Sequence, residues 1–260
     1  MKVVILAGGR GTRIGEESQL RPKPMIEIGG KPILWHIMKT YSYYGYNEFI
    51  ICCGYKGQMI KEYFTHYYVR QADSTFFLKD RHTVVHKSHV EPWKVTLANT
   101  GLETLTAGRI LKIRDYIDGE EFFLTYGDGV SDVDINALLD FHHEKGLTAT
   151  ITTTQPAGRF GAIKIDSGTN EIESFKEKAR ADQAWVNAGF MVMNTKVFDY
   201  LGDGSTMLET EPFERLAKDR QLAAYKHEGF WSPMDTMRDK EYLEDLWESG
   251  KAPWRKVSNI

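Results

Sequence analysis

Val3-Val4-Ile5-Leu6-Ala7-Gly8-Gly9-Arg10-Gly11-Thr12-Arg13 opens on an unbroken apolar run and passes into a glycine- and arginine-rich loop. Its first five residues are apolar at every position and rich in β-branched side chains, the pattern of a strand buried on both faces. Glycines then stop it. Phe49–Cys53 and Phe122–Thr125 have the same character. Between the first two strands a helical pattern opens at Pro32, a favoured first-turn position, and places Ile33, Leu34, Ile37, Met38 and Tyr41 on one face. A second helix after Gly57 carries Met59, Ile60, Tyr63, Phe64 and Tyr67, and a third runs from Thr106 to Tyr116. A fourth follows Asp134, a good N-cap, with Ile135, Leu138, Leu139 and His142. Strand and helix alternating at this spacing predict an α/β fold, a doubly wound, mainly parallel but mixed sheet.

The second half changes character. Thr148–Thr154, Gly161–Ile165, Ile172–Lys176 and Val186–Met193 read as strands, with antiparallel pairing among them. Helices near Thr195–Leu201, Glu211–Lys218 and Arg238–Trp247 close the chain. No Pro/Ser-rich linker and no internal period interrupts it, so residues 1–260 are expected to form a single domain with two functional halves, 1–130 and 131–260.

Composition narrows the function. The 260 residues are 42% hydrophobic and 27% charged, with 33 Lys+Arg against 36 Asp+Glu and a net charge of -3. That is an ordinary globular balance, with no general electrostatic case for a nucleic-acid or membrane-surface binder. Cys52 and Cys53 are adjacent and form neither a disulfide framework nor a metal pair. The five-residue apolar run after Met1-Lys2 is too short for a secretory signal, and no stretch is long enough to span a membrane. A soluble cytoplasmic protein is expected.

The glycine loop points to phosphate. Gly8, Gly9 and Gly11 let backbone N–H groups approach an anion, and Arg10 and Arg13 add cations. The loop is not a Walker A motif, because the Lys-Ser/Thr pair is missing. It is not a dinucleotide fingerprint either, since Gly15 falls one residue late and Cys53 runs into Gly54 with no acid after the second strand. Downstream, Pro22 and Pro24 stiffen the segment that carries Lys23, which reads as a point charge on a phosphate or, the commoner case for a loop lysine, as a solvated side chain. Asp128, in Tyr126-Gly127-Asp128-Gly129, lies just past the third strand, where open α/β sheets bind ligands. It reads as a metal ligand or a turn aspartate. Asp132 and Asp134 look more like a turn residue and a helix cap.

Leu6-Ala7-Gly8-Gly9 with Gly11-Thr12-Arg13, followed by Pro22-Lys23-Pro24-Met25, resembles the signature of the sugar-phosphate nucleotidyltransferases, which join a sugar 1-phosphate to a nucleoside triphosphate. Gly29-Gly30-Lys31-Pro32-Ile33-Leu34-Trp35-His36, Ile51–Gly57, Val90-Glu91-Pro92-Trp93, Gly229-Phe230-Trp231 with Pro233-Met234-Asp235-Thr236, and Gly250–Trp254 resemble the branch of that family that uses CTP and glucose 1-phosphate. The resemblance implies a Rossmann-like nucleotide-diphospho-sugar transferase fold, Mg²⁺ as cofactor, and CDP-glucose and pyrophosphate as products. It also implies a role in making dideoxy sugars for bacterial lipopolysaccharide O-antigen.

In these terms the catalytic set is Arg13, Lys23 and Asp128, with Leu6–Arg13 cradling the nucleotide in the 1–130 half. Asp235 is the second metal ligand implied, although Asp235 or Thr236 could instead cap the helix near Arg238. Gly161, Glu177, Lys178, Asn187 and Gly189 are implied to hold the sugar phosphate in the 131–260 half. Ala179 stands where the family often has proline, which puts that loop's conformation in question. Thr104, Thr106, Gly108 and Arg109 form the segment for the base. Arg109 either reads the cytosine carbonyl or is a solvated helix arginine.

Three other classes compete: a transferase using another nucleotide or sugar, a non-catalytic nucleotide-sugar sensor, and an NAD-dependent dehydrogenase. Intact Arg13, Lys23, Asp128 and Asp235 argue against a sensor, and the missing acid after the second strand argues against a dehydrogenase. His82, His86 and His89 invite a zinc reading. The Tyr67–Trp93 stretch instead alternates like a β-hairpin, an insertion over 66–93, with Arg81 and Lys87 interleaved. Its apolar load needs cover, either from its own domain or from a neighbouring subunit. The resemblance favours the second, a homo-oligomer and specifically a hexamer.

Overall fold

β1 (Lys2–Ala7) has no polar face, and Val3, Val4 and Ile5 are fully buried. Successive side chains of a strand point to opposite sides, so β1 feeds two cores. Val3, Ile5 and Ala7 pack with Phe49, Ile51 and Phe123 on one side, whereas Val4 and Leu6 pack with Ile50, Phe122 and Leu124 on the other.

The computed structural model describes residues 1–11, 14–88, 90–155, 162–165, 172–176 and 184–255. After β1 come α1 (Glu16–Leu20), a 3₁₀ turn at Lys23–Met25, and a small ladder of β2 (Glu27–Ile28) with β3 (Lys31–Pro32). Then follow α2 (Ile33–Tyr43), β4 (Glu48–Cys53), α3 (Gly57–Thr65) and α4 (Tyr67–Arg70). The hairpin β5 (Ala72–Phe77) and β6 (His82–Ser88) precedes β7 (Lys94–Asn99) and α5 (Thr106–Lys112). The chain continues through β8 (Glu121–Tyr126), β9 (Gly129–Ser131), α6 (Ile135–Lys145) and β10 (Ala149–Thr154). β11 (Ala162–Ile165) pairs with β12 (Ile172–Lys176), and β13 (Val186–Asn194) leads to a 3₁₀ helix at Thr195–Tyr200. It closes with α7 (Glu211–Lys218), β14 (Leu222–Lys226), β15 (Trp231–Pro233) and α8 (Met237–Glu248).

Among the described residues the main sheet has seven strands in the order β14-β10-β13-β8-β1-β4-β7. β13 runs antiparallel to β10 and β8, and the other neighbours are parallel. The mixed, doubly wound sheet expected from the sequence is present. Helix α2 buries Ile33, Leu34, Ile37, Met38 and Tyr41 completely. Each such side chain contributes roughly 1.5–3 kcal/mol, which outweighs the roughly 1 kcal/mol of the side-chain N-cap that Pro32 lacks.

Several expectations are corrected. Met59 is 37% exposed, so α3 buries Ile60 but not its neighbour. The third helix stops at Lys112, and a 3₁₀ turn at Arg114–Tyr116 finishes the span. Thr195–Tyr200 is likewise 3₁₀. The edge strands β7 and β14 were not expected. Both are only partly covered, so their sequences lack the continuous apolar run of β1. Asp134 does cap α6, its carboxylate accepting from the Ala137 N–H at 3.0 Å. Both cysteines are buried, which pushes the Cys52 thiol up to about 12 and Cys53 up to about 11 and makes both poor nucleophiles.

His36 locks the C-terminal segment to α2. Its Nε2 lies 2.9 Å from the Ile28 carbonyl, and the Trp254 indole donates to its Nδ1 at 3.4 Å. Trp247 packs edge-on at 4.6 Å and also crowds Gly29, where a Cβ would fall 1.8 Å from the indole nitrogen. Gly29 is further held at φ +58, so both space and backbone demand glycine there. Burial lowers the His36 pKa to about 4. Between pH 6.5 and 4 the unfolded chain therefore binds a proton that the folded chain refuses. Stability present above pH 6.5 is lost as the pH falls through that window, by up to about 3 kcal/mol. Denaturant unfolding at pH 7 and pH 4.5 should show this loss, and His36→Gln, which keeps a donor and an acceptor but cannot titrate, should shrink the difference.

Candidate active site

The strand order reverses at β1: β4 and β7 build outward on one side, then the chain returns to place β8 on the other. Ligands bind outside the carboxyl ends of strands at such a point. A cleft of about 480 Å³ opens there, between Leu6–Gly11 at the end of β1, Tyr126-Gly127-Asp128 at the end of β8, Lys23-Pro24, and Thr104–Thr106 with Arg109 and Met207.

Two charged groups that line it, Lys23 and Asp128, meet a third, Asp235. The Lys23 ammonium donates to Asp128 Oδ2 at 2.8 Å and to Asp235 Oδ1 at 2.5 Å. These residues lie far apart in sequence, and two features of the fold join them. The Lys23–Met25 turn, preceded by Pro22, buries Lys23 to 6% exposure and directs it inward. Strand β15 pairs antiparallel with β9, setting Pro233 opposite Gly129, and the Met234 N–H bonds the Asp128 carbonyl at 2.8 Å. Asp235 is thereby delivered beside Asp128. The helix-cap alternative for Asp235 is excluded, because Thr236 caps α8 in a capping box with Asp239. Two carboxylates sharing one cation at a strand end form a hard oxygen pair of the kind that suits Mg²⁺ when phosphate oxygens complete its shell. Among the described residues no group of three or more His, Cys, Asp or Glu side chains could hold a metal by itself, His82 and His86 included. His86 instead pairs with Thr75 at 2.9 Å, and His82 stacks on Phe77 at 4.3 Å.

Arg109 is neither solvated nor free to roam. It is 4% exposed, and its guanidinium donates to Thr100 Oγ1 at 2.6 Å and to the carbonyls of Gly101, Gly8 and Leu102 at 2.8, 3.1 and 3.3 Å. It lines the cleft while clamping the glycine loop to the segment after β7. Burial pushes its pKa down, but four acceptors surround the charge. Gly8 must be glycine for this: a Cβ there would lie 2.2 Å from Arg109 Nη1.

Tyr126 forms the floor. Its hydroxyl donates to Glu209 Oε1, and Thr106 Oγ1 donates to Glu209 Oε2 at 2.8 Å. Burial, reinforced by the Glu209 charge, pushes the Tyr126 pKa up, so the phenol keeps its proton. Asn187 donates to the Tyr126 hydroxyl at 3.3 Å and accepts from the Gly189 N–H at 2.8 Å. The Trp231 indole donates to the Ala188 carbonyl at 2.8 Å, tying β15 to the same segment.

Of the residues anticipated from sequence, Leu6, Ala7, Gly8, Gly9, Arg10, Gly11, Lys23, Thr104, Thr106, Arg109 and Asp128 line the cleft. Asp235 joins them through Lys23, while Asn187 and Gly189 stand behind Tyr126. Gly108 does not line it. It allows α5 to touch the Gly204 backbone, whose oxygen would lie 2.5 Å from a Cβ there. Thr12, Arg13, Gly161, Glu177 and Lys178 lie outside the described residues, as does His89. Sequence reading missed Glu209, Met207 and Glu103, the last an ion-pair partner of Arg10. Nothing in the local sequence of Glu209 signals its role, which appears only once Tyr126 and Thr106 converge on it.

A glycine loop at the switch point and two carboxylates on one lysine define a class, and a family model agrees with it: the chain belongs to the nucleotidyl transferase family, whose model matches residues 2–244. It is 54% identical over 256 residues to the glucose-1-phosphate cytidylyltransferase of Salmonella typhi, covering 98% of this chain and 99% of that one. The Salmonella typhimurium protein of the same name is equally similar, 54% over 256 residues with the same coverage. Among solved structures, HddC from Yersinia pseudotuberculosis superimposes with a TM-score of 0.68 at 21% identity over 95% of this chain and 99% of that one, a likeness of fold.

Proposed function

We infer that the chain transfers the cytidylyl group of CTP to α-D-glucose 1-phosphate, giving CDP-glucose and pyrophosphate. The observation that carries this is the 54% identity along 98% of the chain to relatives of that name. The cleft supplies the chemistry.

The attacking sugar phosphate carries nearly two negative charges at neutral pH, since its second pKa is about 6, and needs no general base. The difficulty is repulsion between that anion and a triphosphate. Backbone N–H groups of Gly8–Gly11 and the Lys23 ammonium offset the charge, and the clamp from Arg109 holds the loop in place before substrate arrives. Enzymes of this family generally use a divalent metal. Here Asp128 and Asp235 would hold it, with Mg²⁺ the ion whose preference for few carboxylates and several phosphate oxygens fits best. When bound, it supplies positive charge to the phosphates. Arg13 is assigned to the triphosphate, and Gly161, Glu177 and Lys178 to the sugar phosphate, with Asn187 and Gly189 supporting the floor. Residues 1–130 then serve mainly the nucleotide and 131–260 mainly the sugar. Among the described residues no helix is long and apolar enough to cross a membrane. A cytoplasmic location, where CTP is available, accords with this reading.

The hairpin β5–β6 supports assembly. Phe76 is 55% exposed, Phe77 43% and Leu78 86%, so the tip of the arm leaves these side chains uncovered, whereas Tyr67 and Trp93 at its base are covered by their own domain. Its base is fixed, with Tyr67 donating to Glu91 at 2.6 Å and Trp35 donating to the Tyr67 hydroxyl at 2.9 Å. A homo-oligomer, a hexamer by the resemblance noted above, with this arm at a subunit contact, covers those side chains. Light scattering should give a mass well above the 29.8 kDa chain, and Phe76→Ser with Phe77→Ser should lower it. A fully active wild-type monomer at micromolar concentration would end the idea.

A further inference from the structure

We propose that Lys23 closes the metal position of the nucleotide-free chain with its own ammonium and that a bound triphosphate opens it, so that divalent cation and nucleotide enter together. This rests on the reading of Asp128 and Asp235 as the metal's ligands. The ammonium already sits 2.8 Å from one carboxylate and 2.5 Å from the other. It is therefore a resident cation on the oxygen pair a metal would use.

A divalent ion arriving alone meets two obstacles. If Lys23 stays, the ion approaches a positive charge at short range in a poorly screened cluster. If Lys23 leaves, an ammonium at 6% exposure gives up its bonds to both carboxylates. Two carboxylates cannot neutralise both cations. The phosphates of a nucleotide remove both obstacles, because they add negative charge and give the ammonium a new acceptor.

The fold provides a short route for the exchange. The aliphatic stem of Lys23 runs beneath Gly11 of the glycine loop, where an added Cβ would lie 3.0 Å from Lys23 Cβ and 3.5 Å from its Cδ. Rotation about the terminal side-chain bonds carries the ammonium from the carboxylates toward the loop while the proline-stiffened backbone stays in place. Linkage then requires reciprocity: nucleotide tightens cation binding by the factor by which cation tightens nucleotide binding.

Titration of the nucleotide-free chain with Mn²⁺, read by electron paramagnetic resonance of the free ion, tests this. Lys23→Gln should bind Mn²⁺ at least about tenfold more tightly than wild type, within the usual range of such coupling. Adding Asp128→Asn should abolish that gain, and Lys23→Arg should remain weak. A Lys23→Gln affinity equal to or below wild type overturns the proposal. Should that variant fail to fold, wild-type crystals decide. With Mn²⁺ alone, Lys23 should still bridge the carboxylates. With Mn²⁺ and a CTP analogue bearing a methylene between the α and β phosphorus atoms, the ion should sit on the carboxylates and the ammonium on a phosphate. Mn²⁺ seated on the pair in the nucleotide-free crystal overturns the proposal. Absence of turnover with every nucleoside triphosphate would refute the assigned reaction yet leave the Lys23→Gln gain standing, so the two failures are distinguishable.

Discussion

Asp128→Asn is expected to lower turnover by at least about 10²–10³-fold, the range for losing one preorganised electrostatic contact in a transition state. The substitution keeps the size and backbone of the residue. Its carbonyl still accepts from the Met234 N–H, so the β9–β15 junction that delivers Asp235 survives. What disappears is one of the two negative charges facing Lys23. Thermal unfolding should change little, because Asp128 is partly exposed and Asp235 still pairs with the ammonium. A near-wild-type rate at saturating Mg²⁺ would remove Asp128 from the catalytic set.

Arg109→Met should damage both stability and substrate binding. Methionine fills much of the buried volume but donates nothing, leaving Thr100 Oγ1 and the carbonyls of Gly101, Gly8 and Leu102 without the guanidinium. Leaving a buried acceptor without its donor typically costs about 1–3 kcal/mol, so losing the partner of several at once should be clearly destabilising. The loosened Gly8 carbonyl also frees the loop assigned to the phosphates, so the KM for CTP should rise at least about tenfold. Lysine is no substitute, since a single ammonium cannot span four acceptors. Urea unfolding and CTP saturation curves measure the two effects. A variant within about 1 kcal/mol of wild type with an unchanged KM would show that the clamp is dispensable.

The contrast between Lys23 and Glu209 shows where the sequence is readable. The buried strand and its glycines advertise themselves locally, so β1 and the loop are legible from the residue pattern, while the stiff proline segment marks Lys23 without separating a phosphate contact from a solvated side chain. Asp128 is legible because a strand end can be located from its apolar run. Asp235 was ambiguous with a helix cap until the capping box assigned that task to Thr236. Arg109 illustrates the limit: whether a helix arginine is solvated, reads a base or clamps a loop depends on β7, an edge strand whose polar alternation hid it. Glu209 has no local signature, and only the convergence of Tyr126 and Thr106 reveals it. Gly108 was misplaced for the same reason, since its close approach to Gly204 is set by tertiary packing.

The activity assigned to this cleft is the joining of cytidylyl to glucose 1-phosphate. The most direct test is incubation of the purified chain with glucose 1-phosphate, Mg²⁺ and each of CTP, UTP, dTTP, ATP and GTP in turn, following pyrophosphate release. Pyrophosphate and CDP-glucose are expected with CTP, at a kcat/KM at least about a hundredfold above that of any other nucleotide, since a site that reads hydrogen-bonding groups discriminates strongly. Equal or faster release with another triphosphate, or none with CTP, would contradict it.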